Sequence, residues 1–450
     1  MALFGTDGVR GLANDFLTAE LAVDLAVAAA HILGEIGALS SDPTQRPTAI
    51  VGQDSRASGE FLEAAVVAGL ASAGVDVYRV GVLPTPAIAH LVAESGAELG
   101  VMISASHNPM PDNGIKFFAK GGGKLDDSLE AAIEARMGEI WKRPTGLGVG
   151  RVINDDSAAE RYIFHLLNSL THNLAGLKVV VDCANGAASR VAPKTYSRAG
   201  AEVIAISHEP NGWNINENCG STHLENIKAK VIETGADLGI AHDGDADRCL
   251  AVDHEGNEID GDFIMAILAA DWQSRGLLTN DSVVGTVMSN LGFIKAMEAL
   301  DINVETTSVG DRYVLERMLE ADHALGGEQS GHIIMRHYAN TGDGLLTALH
   351  LMQAIASSGK SLKELSAVMS RFPQVLINVK DVEKSKLAQS AAISEAITRH
   401  EAALATSGRI LVRPSGTERL VRVMVEAQSK DQAEKIAEEL ASLVRSELTL

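Results

Sequence analysis

Cysteine is scarce in this chain of 450 residues, which contains three: Cys183, Cys219 and Cys249. Their odd number and wide spacing argue against a disulfide framework and against a cysteine metal site, and favour a reducing compartment. Long apolar runs are also missing, because the longest stretch near the start, Leu21 to Leu33, contains Asp24 and is too short to span a bilayer. We therefore expect no membrane segment, no export and a cytoplasmic location.

Positive charge is the third deficit. The chain has 38 lysines and arginines against 59 aspartates and glutamates, for a net charge of −21. Such a surface repels phosphate backbones and anionic lipids, so we expect neither a nucleic acid nor a membrane as partner. A phosphate ester as substrate would need arginines placed locally to overcome this field. The apolar fraction of 46% is ordinary for a soluble globular protein, and the length predicts three or four domains.

A weak threefold repeat of strand, helix and strand organises most of the chain. The predicted segments are Thr48–Val51, Glu60–Ser72 and Val75–Val80, then Lys178–Val181, Val191–Arg198 and Val203–Ile206, then Ser282–Val287, Phe293–Ala299 and Val304–Thr307. This alternation predicts parallel sheets with crossover helices. Each copy later supplies an apolar run that ends in a polar loop. Ligands lie outside the carboxyl ends of such strands, so we expect the three loops to face one cleft.

The tail of the chain has a different pattern. Strands are predicted at Gln374–Val379 and Val421–Ala427, and helices at Ser385–Ala405 and Lys430–Leu448, which together indicate a smaller α+β domain. The predicted domains are residues 1–152 with the first polar loop, 153–254 with the second, 255–369 with the third, and 370–450.

The first polar loop directly follows a predicted buried strand. The apolar run Leu99–Ile103 leads into Ser104–Pro109, where Asn108 precedes proline. Because proline disfavours the α conformation in the residue before it, the chain turns here and does not continue into a helix. Ser106, with His107 beside it, therefore lies on a tight turn at the carboxyl end of a strand. This placement suits a nucleophile or a phosphate carrier, and an ordinary polar turn is the alternative.

The second loop, Asp243–Arg248, has aspartate at three alternate positions after the apolar run Leu238–Ala241. The carboxylates converge on one cation if the backbone curls, and an all-oxygen ligand set favours Mg²⁺. An EF-hand is the obvious rival. It would need glycine at position 6 and glutamate at position 12, where this chain has Arg248 and His254. A solvated acidic turn is the other alternative.

The third loop, Gly326–His332, places carboxylate, amide, hydroxyl and imidazole groups between glycines. Glu328 and Ser330 offer an acceptor and a donor to adjacent hydroxyls of a sugar. A glycine-rich hairpin without a ligand is the alternative.

A fourth candidate loop, Arg413–Glu418, follows the apolar run Arg409–Val412, and Arg422 comes nine residues after Arg413. Two guanidinium groups, two hydroxyls and backbone N–H groups beside glycine suit a phosphate. The spacing is not that of a P-loop. A surface turn with two solvated arginines is the alternative.

Two basic residues elsewhere are weaker candidates. Arg10 lies in the glycine-rich segment Phe4–Gly11, and Lys116 follows the first loop closely enough to return to the same cleft. A surface position is the commoner outcome for any one lysine.

Together, these segments resemble the α-D-phosphohexomutase superfamily, from Phe4 to about Ala427. The four loops occur in the family's order, which makes the resemblance highly specific. Phe4–Gly11, Gly310–Val314 and the third loop look like the bacterial branch that acts on hexosamine phosphates. The resemblance implies three similar α/β domains with mixed or parallel sheets, and a smaller C-terminal α+β domain, around a central cleft.

The resemblance also implies roles for individual residues. Ser106 would be the phosphoserine, and with its phosphate would complete the Mg²⁺ site of Asp243, Asp245 and Asp247. The remaining implied roles are sugar binding by Glu328 and Ser330, phosphate binding by Arg413, Ser415, Gly416, Thr417 and Arg422, contact with the phosphoserine by His107 and Arg248, and action near the reacting hydroxyl by Arg10, Lys116 and His332.

The reaction implied by the resemblance interconverts glucosamine 6-phosphate and glucosamine 1-phosphate through a sugar 1,6-bisphosphate, which also serves as primer. It would feed the synthesis of UDP-N-acetylglucosamine and of cell-wall precursors, and a homodimer is a reasonable expectation. The alternatives are a mutase for mannose or glucose phosphates, a phosphatase, and a sugar-phosphate-binding protein without catalysis. Against the last, the serine, the three aspartates and both arginines are all present.

Two positions depart from the family's pattern. Arg419 stands where proline usually follows the glutamate of the fourth loop, and Gln53 stands where a basic residue is common. Arg419 loosens that turn or adds positive charge to it, and neither position belongs to the expected chemistry.

Overall fold

The computed structural model describes residues 3–5, 7–35, 46–415 and 419–449. They form two compact units. The first comprises residues Met1–Val287 and Ile302–Ser366, and the second comprises Met288–Asp301 and Ala367–Leu450, within the described ranges. No helix among the described residues is long and apolar enough to cross a membrane.

The first unit is built from strands alternating with helices. Its strands are β1 (Val9–Leu12), β2 (Thr48–Gln53), β3 (Asp76–Val82), β4 (Leu99–Ile103), β5 (Asp112–Ala119), β6 (Val152–Asn154), β7 (Lys178–Asp182), β8 (Glu202–Ile206), β9 (Leu238–Ala241), β10 (Leu250–Asp253), β11 (Glu258–Ile259), β12 (Ser282–Thr286), β13 (Asn303–Thr307), β14 (Leu325–Gly327) and β15 (Ile333–Met335). Its helices are α1 (Ala19–Glu35), α2 (Ala57–Ser72), α3 (Thr85–Ser95), α4 (Asp127–Ala135), α5 (Ala158–Asn168), α6 (Ala188–Arg198), α7 (Glu225–Thr234), α8 (Gly261–Ser274), α10 (Asp311–Glu320), α11 (Gly344–Ser358) and α12 (Leu362–Ser366).

Three sheets of the first unit contain the same order of four strands, in which the fourth, third, first and second strands of a repeat are neighbours, and this confirms the threefold repeat. The orders are β1-β5-β4-β2-β3-β6, β11-β10-β9-β7-β8 and β13-β12-β14-β15. In each repeat the first three strands are parallel and the fourth is antiparallel to the third. The sheets are therefore mixed, as the predicted fold class allows. Each of the three polar loops connects the third strand of its repeat to the fourth.

One hydrophobic core of the first unit lies between the first sheet and the Ala-rich helices α1 and α2. Ala22, Leu25 and Ala29 on α1 are buried, as are Leu62 and Val66 on α2. Small side chains allow the helices to approach closely, so that a Cβ at Gly69 would lie 2.7 Å from Cβ of Ala26. Thr18 caps α1, because its hydroxyl accepts a hydrogen bond of 3.3 Å from the Leu21 N–H.

The second unit is a three-stranded antiparallel sheet covered by helices. Its elements are α9 (Leu291–Ala299), β16 (Gln374–Lys380), α13 (Ala391–Leu404), β17 (Arg409–Pro414), β18 (Leu420–Glu426) and α14 (Lys430–Glu447), with strand order β16-β18-β17. Val421, Val423 and Val425 alternate inward from β18 and pack against Ala437 and Leu440 of α14. A smaller α+β fold was predicted for the tail, and it is confirmed.

One predicted helix of the tail, Ser385–Ala405, is wrong in its first turns. Lys384–Gln389 forms a 3₁₀ turn, and the α-helix begins only after Ser390. The Ser390 hydroxyl accepts a hydrogen bond from the Ile393 N–H, so this residue caps α13 and interrupts the run. The four-domain boundaries stay a prediction.

Candidate active site

The serine loop turns sharply after β4 and buries its hydroxyl. Ser106 adopts φ = +53°, a left-handed conformation that non-glycine residues rarely occupy. Its Oγ donates a hydrogen bond of 2.5 Å to Oδ2 of Asp243 in the second polar loop. Gly244 comes so close that a Cβ there would lie 2.6 Å from the Ser106 carbonyl oxygen. The structure thus brings together two loops that the sequence only predicted to share a cleft.

The aspartate loop curls as its spacing predicted. Ala246 has φ = +56°, and one carboxylate oxygen from each of Asp243, Asp245 and Asp247 lies within 4.8 Å of the others. All three side chains are buried. A solvated acidic turn is therefore excluded, because none of the three carboxylates faces bulk water.

The three carboxylates fit a hard cation. Within the described part of the chain, Oδ1 of Asp245 and Oδ1 of Asp247 are buried and have no hydrogen-bond partner. The Oδ2 atom of Asp245 accepts hydrogen bonds from Lys116 and Thr85. The Oδ1 atom is therefore the oxygen of this carboxylate that can bind a cation. Buried carboxylate oxygens are rarely left unpaired, and oxygen ligands suit Mg²⁺ and similar ions.

Lys116 lies among carboxylates from two parts of the chain. Its Nζ is 2.8 Å from Oδ2 of Asp7 and 2.8 Å from Oδ2 of Asp245. Burial lowers the pKa of Lys116, but Asp245, Asp7 and Asp247 raise it well above its usual range. Arg10 forms an ion pair with the same Asp7. Lys116 therefore contacts the aspartate loop directly through Asp245, whereas Arg10 is linked to the site through Asp7, which was not among the predicted site residues.

His332 of the third loop also reaches the aspartates. Its Nδ1 is 3.6 Å from Oδ2 of Asp247, and its Nε2 is 3.6 Å from Oδ2 of Asp311. Burial lowers the pKa of His332, but Asp247 and then Asp311 raise it to about 9.

Of the two residues predicted to contact the phosphoserine, His107 lies beside the Ser106 hydroxyl, and Arg248 contacts Asp243, the hydrogen-bond partner of that hydroxyl, through its backbone. His107 Nδ1 lies 3.4 Å from Ser106 Oγ, and the Arg248 N–H donates to Oδ1 of Asp243 at 3.2 Å. Burial, followed by the charges of Arg248 and Arg10, lowers the pKa of His107 to about 4.

The third loop is a hairpin between β14 and β15, and it is anchored on both sides. A Cβ on Gly331 would lie 2.4 Å from the Cys249 carbonyl oxygen, beside the aspartate loop. Glu328 Oε1 accepts the Gly310 N–H at 2.9 Å, and the buried Ser330 Oγ has no hydrogen-bond partner within the described ranges. The loop thus has the geometry of a glycine-rich hairpin, and it also contains one carboxylate, that of Glu328, and one unpaired hydroxyl, that of Ser330, within the described ranges.

The fourth loop lies in the second unit. Arg413 on β17 is directly opposite Arg422 on β18 in the antiparallel register, so the two guanidinium groups share one face of the sheet. Burial and the charge of Arg422 lower the pKa of Arg413. The Ser415 carbonyl oxygen accepts from Lys384 Nζ at 2.7 Å. Gly416 and Thr417 lie outside the described residues.

Two further residues, Thr85 and Asp311, were not among the predicted site residues and are brought to the site only by the fold. Thr85 begins α3 after β3, and its hydroxyl donates to Asp245 Oδ2 at 2.5 Å. Asp311, at the start of α10, pairs with Lys124 and lies near His332. Thr85 could have been predicted from its position in the chain, because it follows the carboxyl end of a parallel strand, where ligand sites form.

Models of one known protein family match most of the chain. Four models of the phosphoglucomutase/phosphomannomutase family match: alpha/beta/alpha domain I at residues 1–143, domain II at 160–256, domain III at 260–372 and the C-terminal domain at 376–443. Three α/β domains and a C-terminal domain agree with the predicted fold class.

Among curated proteins, the chain is 60% identical to phosphoglucosamine mutase of Streptomyces coelicolor over 451 residues, covering 99% of each chain. It is 59% identical to phosphoglucosamine mutase of Cutibacterium acnes over 450 residues, covering 100% of this chain and 99% of the relative. Among solved structures, a phosphoglucomutase/phosphomannomutase family protein from Burkholderia thailandensis superposes with a TM-score of 0.81 at 23% identity, covering 99% and 97% of the two chains. The last likeness shows the fold alone.

Proposed function

The chain belongs to the phosphoglucomutase/phosphomannomutase family. We propose that it interconverts glucosamine 6-phosphate and glucosamine 1-phosphate through a phosphoserine at Ser106. It is an isomerase of the phosphohexomutase type. The amino sugar is favoured because relatives about 60% identical over their full length are phosphoglucosamine mutases.

The observation that carries the proposal is the 2.5 Å contact between Ser106 Oγ and Asp243 Oδ2. A serine hydroxyl beside three buried carboxylates is placed for phosphoryl transfer, because that reaction depends on positioning and on charge neutralisation. Two of the carboxylates keep a buried oxygen without a partner within the described residues, which supports a bound cation.

In the first half of the reaction, Ser106 carries the phosphoryl group and the 1-hydroxyl of the sugar attacks it. The O1–P bond forms while the bond between phosphorus and Ser106 Oγ breaks, which yields the 1,6-bisphosphate. The proton of the sugar hydroxyl passes to a basic group, and the departing Ser106 Oγ takes up a proton. Lys116 and His332 are the two candidates at this site. Each accepts the proton only in its neutral form, and the neighbouring carboxylates lower the population of that form because they raise the pKa of both groups. Arg10 orients charge because guanidinium groups rarely deprotonate.

In the second half, the bisphosphate turns around and returns its 6-phosphate to Ser106. Ser106 Oγ gives up its proton as its bond to phosphorus forms, the bond between phosphorus and the 6-oxygen breaks, and the 6-oxygen takes up a proton. Glu328 and Ser330 bind sugar hydroxyls in both orientations. The phosphate that does not react is held by Arg413, Arg422 and Ser415, together with Gly416 and Thr417.

The cation is assigned to Asp243, Asp245 and Asp247, with the phosphate on Ser106. Mg²⁺, when bound there, supplies a Lewis acid that offsets the charge of the transferring phosphoryl group. His107 and Arg248 contact the phosphorylated serine. The proposal carries with it a cytoplasmic location, a hexosamine phosphate as partner, a homodimer, and a supply of product for UDP-N-acetylglucosamine and cell-wall precursors.

A comparative mutase assay tests the proposal. The protein is primed with a sugar 1,6-bisphosphate and assayed with Mg²⁺ on the 6-phosphates of glucosamine, mannose and glucose. We expect a clear preference for glucosamine 6-phosphate. Preference for mannose or glucose would move the activity to a sister mutase, and release of inorganic phosphate without isomerisation would identify a phosphatase. Inactivity on all three sugars with Ser106 phosphorylated would favour a binding protein.

A further inference from the structure

Two side chains outside the proposed chemistry hold the backbone of the serine loop through the same pair of oxygens. Arg56 Nη2 donates to the carbonyl oxygens of Ser106 and Asn108, at 3.2 and 2.6 Å. Asn216 Nδ2 donates to the same two oxygens, at 2.9 and 3.0 Å. We call this arrangement the carbonyl clamp.

The two donors of the clamp come from different repeats. Arg56 precedes α2 in the first repeat, and Asn216 lies between β8 and α7 in the second. The clamp therefore fixes the serine loop against both repeats, and the second repeat is the one that carries the aspartate loop facing Ser106.

Arg56 is itself held rigidly. It forms an ion pair with Asp54, and both side chains are fully buried. Oδ1 of Asp54 also accepts the Arg56 N–H at 2.9 Å. A planar guanidinium group reaches a carboxylate and two carbonyl oxygens at once, whereas an ammonium group has a single nitrogen. Lysine cannot reproduce this contact set.

The other side of the serine is fixed by the same carboxylate. The Ser106 N–H donates to Ser104 Oγ at 2.9 Å, and the Ser104 hydroxyl donates to Oδ2 of Asp54 at 2.6 Å. Both peptide groups that flank Ser106 are therefore held by hydrogen bonds. A left-handed residue that is not glycine persists only where its surroundings over-determine it.

We infer that Arg56 and Asn216 are positioning residues that hold Ser106 in its left-handed conformation, so that its Oγ faces the aspartate loop for phosphoryl transfer. The inference rests on the proposed function for its kinetic consequence. Neither residue touches the sugar in this assignment, so loss of the clamp lowers kcat and leaves KM almost unchanged.

The sharpest variant is Asn216→Gly, because glycine tolerates the φ of +59° at this position and removes only the side-chain donor. We expect kcat to fall on the order of tenfold, because the variant loses both hydrogen bonds that Asn216 Nδ2 donates to the serine loop. Asn218→Gly is the matched control. Asn218 is exposed, lies in the same segment and has φ = +52°, so its substitution leaves kcat unchanged.

Arg56→Lys tests the other donor. The variant keeps the charge beside Asp54 and loses the planar guanidinium group that contacts both carbonyl oxygens. We expect kcat to fall about 100-fold, because a reacting group displaced by about 1 Å has an effect of that size. Circular dichroism and the melting temperature establish that the variant is folded. If Arg56→Lys fails to fold, Asn216→Gly decides the question, since its side chain is only half-buried.

Amide hydrogen exchange supplies a readout that does not depend on activity. Exchange of the segment 104–108 should accelerate in Asn216→Gly, with the rest of the chain unchanged, and should stay at the wild-type rate in Asn218→Gly. Unchanged exchange together with unchanged kcat, or a defect in KM alone, would overturn the inference. A wild-type protein without mutase activity would overturn the proposed function instead, and the exchange rates would still test the clamp.

Discussion

Ser106 and Asp243, which are 137 residues apart in the chain, meet through a hydrogen bond of 2.5 Å between Oγ and Oδ2. Each lies in the loop between the third and fourth strands of its own repeat. The contact therefore joins equivalent positions of two copies of one supersecondary unit. It places the hydroxyl at the edge of a buried group of three carboxylates, and several expectations depend on it.

Replacing Ser106 with Ala should abolish mutase activity and leave the fold intact. The hydroxyl is the only atom removed, and in the proposed reaction it carries the phosphoryl group in both halves. The mutase assay measures the loss of activity, and mass spectrometry of the intact protein measures phosphorylation of Ser106. Ser128→Ala, at an exposed hydroxyl that donates to Asp126, is the control and should retain full activity. Near wild-type turnover of Ser106→Ala would remove Ser106 as the carrier.

Replacing Asp245 with Asn should weaken Mg²⁺ binding by about 100-fold or more, because even the partners that orient metal ligands are worth about 10–100-fold in affinity. Isothermal titration calorimetry with MgCl₂ in the absence of sugar measures the affinity for Mg²⁺ directly. The Mg²⁺ concentration required for turnover should shift in parallel. Asp156→Asn changes an exposed carboxylate and should alter neither quantity. An unchanged Mg²⁺ titration for Asp245→Asn would exclude Asp245 from the ligand set.

The repeats and their loops could be predicted because their signal is local. Apolar runs followed by small polar residues mark β4, β9 and the loops after them, and the alternation of strands with helices gave the repeat. The site residues that were missed act through contacts over long distances in the chain. Thr85 reaches Asp245 across 160 residues, and Asn216 reaches Ser106 across 110. No spacing along the chain encodes such a pairing.

The same reasoning explains the error in the tail. The run Ser385–Ala405 has few helix breakers, so composition predicts one helix. The observed break depends on the side chain of Ser390, which accepts the Ile393 N–H as a cap. Serine is compatible with both a helix interior and an N-terminal cap, and packing of the second unit decides between them.

Replacing Arg413 or Arg422 with Ala should raise KM for the sugar phosphate by about 10–150-fold, the effect of losing a hydrogen bond between charged groups. The two guanidinium groups repel each other across β17 and β18, so a bound phosphate dianion relieves repulsion that the free protein carries. Steady-state kinetics with glucosamine 6-phosphate measures the change. Arg399→Ala, which removes an exposed partner of Glu439, should leave KM unchanged. An unaltered KM in both variants would remove this pair from phosphate binding.

His350 should make the first unit sensitive to acid. Burial in α11, together with the charge of Arg275, lowers the pKa of His350 to about 4 from its ordinary 6.5. Because the folded state disfavours the protonated ring, the stabilisation is complete above pH 6.5 and is lost as the pH falls towards 4. The loss for this group is at most about 3 kcal/mol in the free energy of unfolding.

Urea unfolding followed by tryptophan fluorescence, at pH values from 7 to 4.5, measures this dependence. Trp272 is a suitable probe, since its ring centroid lies 6.0 Å from that of His350. The variant His350→Gln cannot titrate, so its unfolding midpoint should fall less with pH than that of the wild type. His223→Gln alters an exposed imidazole and should follow the wild-type profile. Parallel profiles for wild type and His350→Gln would show that His350 does not contribute to acid sensitivity.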